Sequence, residues 1–263
     1  MEEQRKNGKY IILIVAIVAL VVIVVLGQTI IMARINKNQE ASRIEEQQLR
    51  DGEAELQKEE DALSEILRDG GNLEFDPGKF VAKKPIIYIY PEEEMEVKVL
   101  VGKPENLTHT YPKYEDGWKV KAKPNGDLVD IKTGRTLYAL YWEGKNTIAP
   151  TLEEGFVVKG EDTIKFLEEK LEILGLNERE ANEFIIYWLP KLESNKYNYI
   201  RFQTKDQIDE NMPLQITPEP DNCIRVMMEY KGLEEMINIK EQKLGHAPAR
   251  SGYTVVEWGG TEI

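Results

Sequence analysis

The sequence predicts an α+β protein with an N-terminal single transmembrane helix, a charged helical spacer, and then a β-meander or sandwich-like sheet with an antiparallel helix pair and further strands. Three observations predict this architecture. Residues 10–33 are almost entirely apolar, and residues 34–71 are strongly charged and contain no proline. From residue 84 onward, runs with a period of two alternate with runs of helical period.

The apolar run predicts a membrane-spanning helix, because its length of about 24 residues exceeds the roughly 20 that a helix needs to cross a bilayer. A cleaved secretory signal is the alternative, since a basic tail at residues 1–9 precedes the run. The run is longer than the roughly 7 to 15 apolar residues of a signal peptide. An uncleaved signal anchor is therefore the better interpretation.

The flanking cations bear on the orientation of the anchor. Arg5, Lys6 and Lys9 precede the span, whereas Arg34 and Lys37 compete from its other side under the positive-inside rule. We expect the tail inside the cell and the carboxyl-terminal domain outside. The predicted location is thus the cell membrane, with the lipid bilayer as a partner through residues 10–33.

The spacer at residues 34–71 reads as a solvated helix. It carries leucines at seven-residue intervals, but the second apolar position that a coiled coil requires is occupied by glutamates. The leucines are Leu49, Leu56 and Leu63, and the glutamates are Glu46, Glu53 and Glu60. The pattern favours a charged spacer with weak self-association over an obligate coiled-coil dimer.

Composition excludes some classes of partner. The chain has 47 Asp and Glu against 34 Lys and Arg, so a surface that tracks nucleic-acid phosphates is not expected. Cys223 is the single cysteine, which excludes an intrachain disulfide. We expect Cys223 to pack as a small buried hydrophobic residue.

Residues 84–150 predict a β-rich subdomain. Short runs rich in β-branched and aromatic residues lie at 85–91, 95–101, 118–123, 127–131 and 136–142. Asn125-Gly126 predicts a type I′ hairpin turn between the third and fourth runs. The last run is apolar on both faces and is expected in the centre of a sheet.

Residues 151–263 predict an α+β subdomain packed with the first one. Apolar positions recur with helical period at 162–174 and 177–192, and Gly175 ends the first of these helices. Asn177 and Glu180 have the spacing of a capping box. The short connection predicts an antiparallel helix pair. Strand-like runs follow at 197–203, 214–217, 224–230 and 253–258.

Common catalytic motifs are missing from the sequence. It has no Gly-x-Ser-x-Gly elbow, no His-Glu-x-x-His pair and no dinucleotide-binding glycine motif. His246 and Ser251 could form a base and nucleophile, but no orienting acid is identifiable. Asp127 and Asp130 flank a turn, where solvated carboxylates are expected rather than metal ligands. No cofactor and no metal is therefore expected.

Acids placed near aromatic residues are the remaining candidates for chemistry. The candidate catalytic residues are Glu143, Glu183 and Glu257. The candidate binding residues are Trp142, Tyr187, Arg201, Arg225 and Trp258. If residues 253–258 form a strand, Glu257 shares a face with Tyr253 and Val255 and is expected to be buried.

A buried carboxylate needs a partner, and Arg201 or Arg225 could supply it for Glu257. Such an ion pair would be architectural. Carboxylates among tryptophans and tyrosines also describe a glycosidase cleft, in which one acid protonates the leaving group and another attacks or activates water. Both interpretations remain open at this point.

Four blocks of the chain resemble the recurring blocks of a family of uncharacterised proteins. They are Lys84-Pro85-Ile86-Ile87-Tyr88-Ile89-Tyr90-Pro91, residues 138–144 with Tyr141-Trp142-Glu143-Gly144, residues 182–190 with the sequence NEFIIYWLP, and residues 255–260 with the sequence VVEWGG. The resemblance covers residues 84–263. It implies a shared domain and carries no catalytic residue with it.

The leading hypothesis is a single-pass membrane protein that presents an acidic α+β recognition or scaffold domain at the cell surface. Its ligand would be a protein or a glycan. The alternative is a membrane-tethered hydrolase that uses its carboxylates on a surface glycan. A pair of carboxylates about 5 to 10 Å apart across an open cleft would favour hydrolysis, and Glu257 buried against an arginine would favour architecture.

Overall fold

The computed structural model describes residues 80–150 and 152–263, together with six helical positions at Met32, Glu40, Arg43, Gln47, Gln48 and Arg50. The α+β class is confirmed, with an eight-stranded sheet, a five-stranded sheet and three α-helices in residues 80–263. The tail at 1–9, the predicted span at 10–33 apart from Met32, and the predicted spacer at 34–71 apart from the other five of these positions lie outside the described residues. Among the residues that are described, no helix has the length and apolar character to cross a membrane.

Thirteen strands and three α-helices make up the described domain. The strands are β1 (Val81–Tyr90), β2 (Met95–Val101), β3 (Leu107–Tyr111), β4 (Trp118–Ala122), β5 (Leu128–Asp130), β6 (Thr136–Leu137), β7 (Leu140–Lys145), β8 (Glu154–Lys159), β9 (Tyr197–Phe202), β10 (Leu214–Thr217), β11 (Asn222–Leu233), β12 (Lys240–Glu241) and β13 (Thr254–Glu262). The helices are α1 (Thr163–Ile173), α2 (Glu178–Leu192) and α3 (Lys205–Asn211).

The larger sheet has the strand order β12-β8-β9-β11-β13-β1-β7-β3, and the smaller has the order β10-β2-β4-β5-β6. Strand β13 runs parallel to β11 and antiparallel to β1. The larger sheet therefore combines strands from both sides of residue 150. Its middle is built by the first and last strands of the domain.

The elements stack in three layers, because the strands of the larger sheet bury both faces. In β1, Ile87 and Ile89 join an apolar cluster with the smaller sheet, whereas Ile86 and Tyr88 join a cluster with α1 and α2. The alternation follows from the period of two in a strand. The larger sheet thus lies between the smaller sheet and the helix pair.

The predicted single strand at 136–142 is wrong. The chain forms β6 in the smaller sheet, leaves it at Tyr138, and forms β7 in the larger sheet. Leu140 and Trp142 then face the space between the sheets, and β7 lies between β1 and β3. The two apolar faces seen in the sequence reflect this change of sheet. The predicted meander is retained only in β4, β5 and β6, which pair in sequence order.

The hairpin between β4 and β5 is confirmed, but its predicted turn type is wrong. The amide of Gly126 donates to the carbonyl of Lys123 at 2.9 Å, so Pro124 and Asn125 occupy the central positions. Gly126 has a φ of 88°, while Asn125 is not among the residues with positive φ. This is a type I turn followed by a left-handed glycine, for which proline is favoured at the second position.

The two predicted helices, α1 and α2, are present and in contact, and the capping box that starts α2 is confirmed. The Asn177 side chain accepts from the Glu180 amide at 2.9 Å, and the Glu180 side chain accepts from the Asn177 amide at 2.9 Å. Glu180 is also bound by Arg250 through both terminal nitrogens, at 2.7 and 2.8 Å. The cap therefore fixes α2 to the segment that precedes β13.

Candidate functional site

Glu257 lies between the two sheets and is fully buried. Trp142 Nε1 donates to its Oε1 at 2.8 Å, and Arg225 Nε donates to its Oε2 at 2.7 Å. Arg225 is the direct partner of Glu257 in the parallel register of β11 and β13, so the backbone itself brings the two side chains together. The expected burial of Glu257 and its expected pairing with an arginine are both found.

Arg225 extends this pair to α3. Its Nη1 donates to Asp209 Oδ1 at 2.6 Å and its Nη2 donates to the Met212 carbonyl at 2.9 Å. Lys205 binds the other oxygen of Asp209. Burial acts to raise the pKa of Asp209, but the hydrogen bonds from Lys205 and Arg225 outweigh it and hold that pKa below its ordinary value. Two acids and two cations thus balance each other.

Two cavities open beside this quartet, and both are lined by Lys205, Cys223 and Arg225. The larger one, of about 710 Å³, lies between β10, α3 and the start of β11. The smaller one, of about 350 Å³, includes Gln203 and His246 in its wall. We call the larger one the β10 cleft. Cys223 is partly buried rather than fully buried as expected, and this burial raises the pKa of its thiol to about 11, so it is not a thiolate at neutral pH.

Strand β10 is an edge strand, since it pairs with β2 and with no other strand among the described residues. The Gly102 amide donates to the Pro213 carbonyl at 2.7 Å, so the carbonyl of residue 213 points towards β2. Because these directions alternate along an antiparallel strand, the amides and carbonyls of Leu214 and Ile216 point away from β2. Leu214 and Ile216 are both lining residues of the β10 cleft.

Arg201, the other arginine considered for Glu257, pairs with Glu229 instead. Its Nη1 donates to Glu229 Oε2 at 2.9 Å, and the two residues are partners in the register of β9 and β11. Gln203 donates to the other oxygen of Glu229 at 2.7 Å. Burial raises the pKa of Glu229, although Arg201 and Gln203 act in the opposite direction.

Glu183 lies on the helix side of the larger sheet. Tyr88 donates its hydroxyl to Glu183 Oε2 at 2.7 Å, and Trp258 Nε1 donates to the Tyr88 oxygen at 3.2 Å. Arg179, one turn earlier on α2, bonds to the other oxygen at 3.3 Å. Burial, followed by the hydrogen bond to Glu183, raises the pKa of Tyr88. Trp258 is thus a buried partner of this network rather than a surface residue.

Glu143 also faces the helix side, on the same face of β7 as Tyr141. It accepts the Lys84 amide at 3.2 Å and lies 3.7 Å from Lys83 Nζ. Burial first, and then the charge of Glu143, raise the pKa of Tyr141 and of Tyr187. The structure therefore places Glu143 near Tyr187, but the larger sheet separates both Glu143 and Glu183 from Glu257.

Sequence reasoning missed α3 and its contribution of Asp209 and Lys205. The signal was present, because Thr204 and Gln207 have the spacing of a capping box. The amide of Thr204 donates to Gln207 Oε1 at 2.9 Å, and that oxygen also accepts Arg201 Nη2 at 3.0 Å. The helix is short and mostly polar, so its apolar period gives little indication of it.

The minor alternatives have ordinary local partners. Asp127 accepts Asn125 Nδ2 at 2.8 Å, as turn carboxylates do, but Asp130 is buried rather than solvated and accepts the Thr133 amide at 3.1 Å. No hydrogen bond joins His246 to Ser251 in residues 152–263. Within the described parts of the chain, no cluster of three or more metal-ligating side chains is found.

Comparisons with protein families, with curated proteins and with solved structures found no match to this chain. The resemblance to a family of uncharacterised proteins stays a prediction.

Proposed function

We propose that this chain is a single-pass membrane-anchored protein that presents its α+β domain at the cell surface as a recognition module. The observation that carries the proposal is the burial and the hydrogen bonding of Glu257. It is fully buried and is bonded to Trp142 and Arg225, so it has the surroundings of an architectural ion pair.

The alternative, a glycan hydrolase, has less support from the geometry. A glycosidase needs two carboxylates that flank a sugar in an open cleft. Glu257 lies on the face of the larger sheet that packs on the smaller sheet, whereas Glu143 and Glu183 lie on the opposite, helix side, so Glu257 cannot form such a pair with either one. Glu183 is already bonded to Tyr88 and Arg179, and Glu143 to the Lys84 backbone.

The β10 cleft is the recognition surface in this proposal. An exposed sheet edge binds an extended peptide by adding it as a further strand, with the backbone supplying affinity. Leu214 and Ile216 offer two amides and two carbonyls for this purpose. Pro213 and Pro218 bracket the strand and limit the added strand to a short segment, which also protects the edge against aggregation.

Selection from a random peptide library on the purified full-length chain tests the recognition proposal. Ile216→Pro removes one outward amide while leaving the pairing of β10 with β2, because proline is accepted where an edge amide faces outward. We expect the selected peptides to bind this variant about tenfold more weakly, the equivalent of one hydrogen bond. Gln215→Ala, whose backbone faces β2, is the matched control and should bind like the wild type.

Two outcomes would contradict the proposal. One is that the library yields no peptide above the background of an unrelated membrane protein. The other is that the selected peptides bind Ile216→Pro as tightly as the wild type, which would place recognition elsewhere on the chain.

Protease treatment of intact cells tests whether the domain lies on the outer side of the membrane. We expect residues 84–263 to be digested from outside while an epitope placed at the amino terminus stays protected. Protection of the domain, with digestion only after lysis, would place it inside the cell.

A further inference from the structure

The helix pair carries a second cleft, of about 740 Å³, on its outer side. Its apolar lining consists of Leu176, Ala181, Ile185 and Ile186. Ile186 is 68% exposed, although its neighbours along the cleft are partly buried in the core. We call this surface the helix-pair groove. It belongs to the helix layer, whereas the β10 cleft belongs to the opposite layer.

The groove is rimmed by negative charge. Glu168 and Glu172 on α1 and Glu178 on α2 line it, and its lining contains no lysine or arginine. None of these three glutamates has an ion-pair partner within the described residues. Two other glutamates of α2 do have such partners, since Glu180 pairs with Arg250 and Glu183 pairs with Arg179.

Two of the glutamates of the groove destabilise the helix that carries them. Glu168 and Glu172 are four residues apart on α1, where like charges destabilise a helix. An apolar floor with uncompensated acids on its rim is complementary to a ligand that is apolar on one side and cationic at its flanks. Helical peptides bind grooves in this way, with apolar anchors spaced by three and four residues.

Charge argues against the other occupants of such a groove. An anionic lipid surface would be repelled by the three glutamates. A second copy docked by the same face would bring six of them together. The spacer at residues 34–71 carries eleven acidic and six basic residues, so it is a poor complement as well.

We infer that the helix-pair groove docks a cationic amphipathic helix of a partner protein. The apolar stripe of the partner packs on Ile185 and Ile186, and its lysines or arginines pair with Glu168, Glu172 and Glu178. This inference goes beyond the proposed recognition at the β10 cleft and uses a separate surface. Together the two surfaces would allow the domain to hold two partners.

The probe for the test is a fluorescent peptide of 18 residues, built only from leucine and lysine at helical spacing. Binding is measured by anisotropy to the full-length chain in zwitterionic nanodiscs, with protein-free nanodiscs subtracted. A photoreactive group on the peptide maps the contact by cross-linking. We expect cross-links on α1 and α2, and no change in binding for Ile216→Pro.

Two variants and one matched control decide the result. Glu168→Gln/Glu172→Gln/Glu178→Gln should weaken binding by at least about tenfold and flatten its salt dependence. Ile186→Asn should weaken it severalfold without loss of folding, because this side chain is mostly exposed. Glu92→Gln/Glu93→Gln/Glu105→Gln changes the net charge equally at exposed positions elsewhere and should bind like the wild type.

The inference is overturned if the charge-matched control loses as much affinity as the groove variant, since binding would then be unspecific. It is also overturned if Ile186→Asn binds like the wild type, or if cross-links map outside α1 and α2. Binding of the domain to phosphatidylserine vesicles, or a dimer that Ile186→Asn disrupts, would assign the groove to another occupant.

Discussion

At the scale of single residues, the buried charges of the domain are held by strand register. Arg225 and Glu257 are opposite each other in β11 and β13, and Arg201 and Glu229 are opposite each other in β9 and β11. Burying a charge costs several kcal/mol unless it is paired and hydrogen-bonded. Each pair therefore stabilises the one strand alignment in which it is satisfied.

Glu257→Gln should destabilise the domain, because it leaves the buried Arg225 with half of its charge compensation. We expect a loss of about 3 kcal/mol, which corresponds to a fall in Tm of roughly 6 to 12 °C for a domain of this size. Thermal unfolding of the full-length chain measures it. Glu257→Gln/Arg225→Met should recover part of the loss, since it removes the uncompensated charge.

Glu161→Gln is the control, because Glu161 is exposed and its ion-pair partner within residues 152–263 is the exposed Lys159, at 3.5 Å. Its Tm should stay within about 2 °C of the wild type. If Glu257→Gln kept full stability but abolished turnover of a surface glycan, the hydrolase interpretation would replace the recognition module.

Cys223 provides a pH-dependent prediction. Burial raises its pKa from 9.0 to about 11, so between these values the folded state keeps a proton that the unfolded state has lost. Stability must therefore fall as pH rises through this window. Relative to Cys223→Ala, which has no thiol, the wild type should lose about 1.4 kcal/mol between pH 8 and pH 10.

Urea unfolding of the wild type and of Cys223→Ala at both pH values measures this difference, and the other titrating groups cancel in the comparison. If the stability difference between the wild type and Cys223→Ala did not change with pH, the thiol would not be shielded from water. The Cys223 thiol would then be a reactive group in the wall of the β10 cleft.

At the scale of elements, α3 contacts both buried ion pairs, the Arg225–Glu257 pair of the candidate site and the Arg201–Glu229 pair beside it. Gln207 accepts Arg201, Asp209 accepts Arg225, and Asn211 binds the buried Asn146. Ile208 and Met212 add the apolar contacts. A helix of seven residues is marginal by itself, so these side chains are what keep it on the sheet.

Thr204→Ala removes the amino-terminal cap of α3 and should cost about 1 kcal/mol of unfolding free energy. Gln207→Ala should cost roughly twice as much, because it also leaves buried Arg201 without one acceptor. Denaturant unfolding gives both values, and amide exchange shows whether α3 opens before the sheets. Equal effects of the two substitutions would contradict the proposed link between the cap and Arg201.

The elements also show where sequence reasoning succeeds and where it stops. The alternation in residues 253–258 gives the face of Glu257, because alternation is a local property of a strand. It does not choose between Arg201 and Arg225, since that choice depends on the register of strands distant in sequence. The break at Tyr138 was missed because it is imposed by pairing with a second sheet, whereas α3 was missed because it is short and mostly polar and only its capping residues indicate it.

At the scale of the whole molecule, the order of strands makes folding depend on the last residues of the domain. Strand β13 lies between β11 and β1 in the middle of the larger sheet. It carries Val255, Val256 and Trp258, which are buried on its two faces, along with Glu257. Contacts this distant in sequence slow folding, because long loops must close before they form.

Deletion of residues 254–263 should therefore prevent the domain from folding, rather than only weaken it. We expect the truncated chain to lose its near-ultraviolet circular dichroism and its cooperative unfolding transition. A synthetic peptide of residues 254–263 should restore both when added in excess, because it supplies the strand that pairs with both β11 and β1. The same peptide with Trp258→Ala should fail, since truncating a buried tryptophan costs about 3 to 5 kcal/mol. A truncated chain that still unfolds cooperatively would mean that the sheet does not need its central strand, and the dependence of the fold on β13 would have to be abandoned.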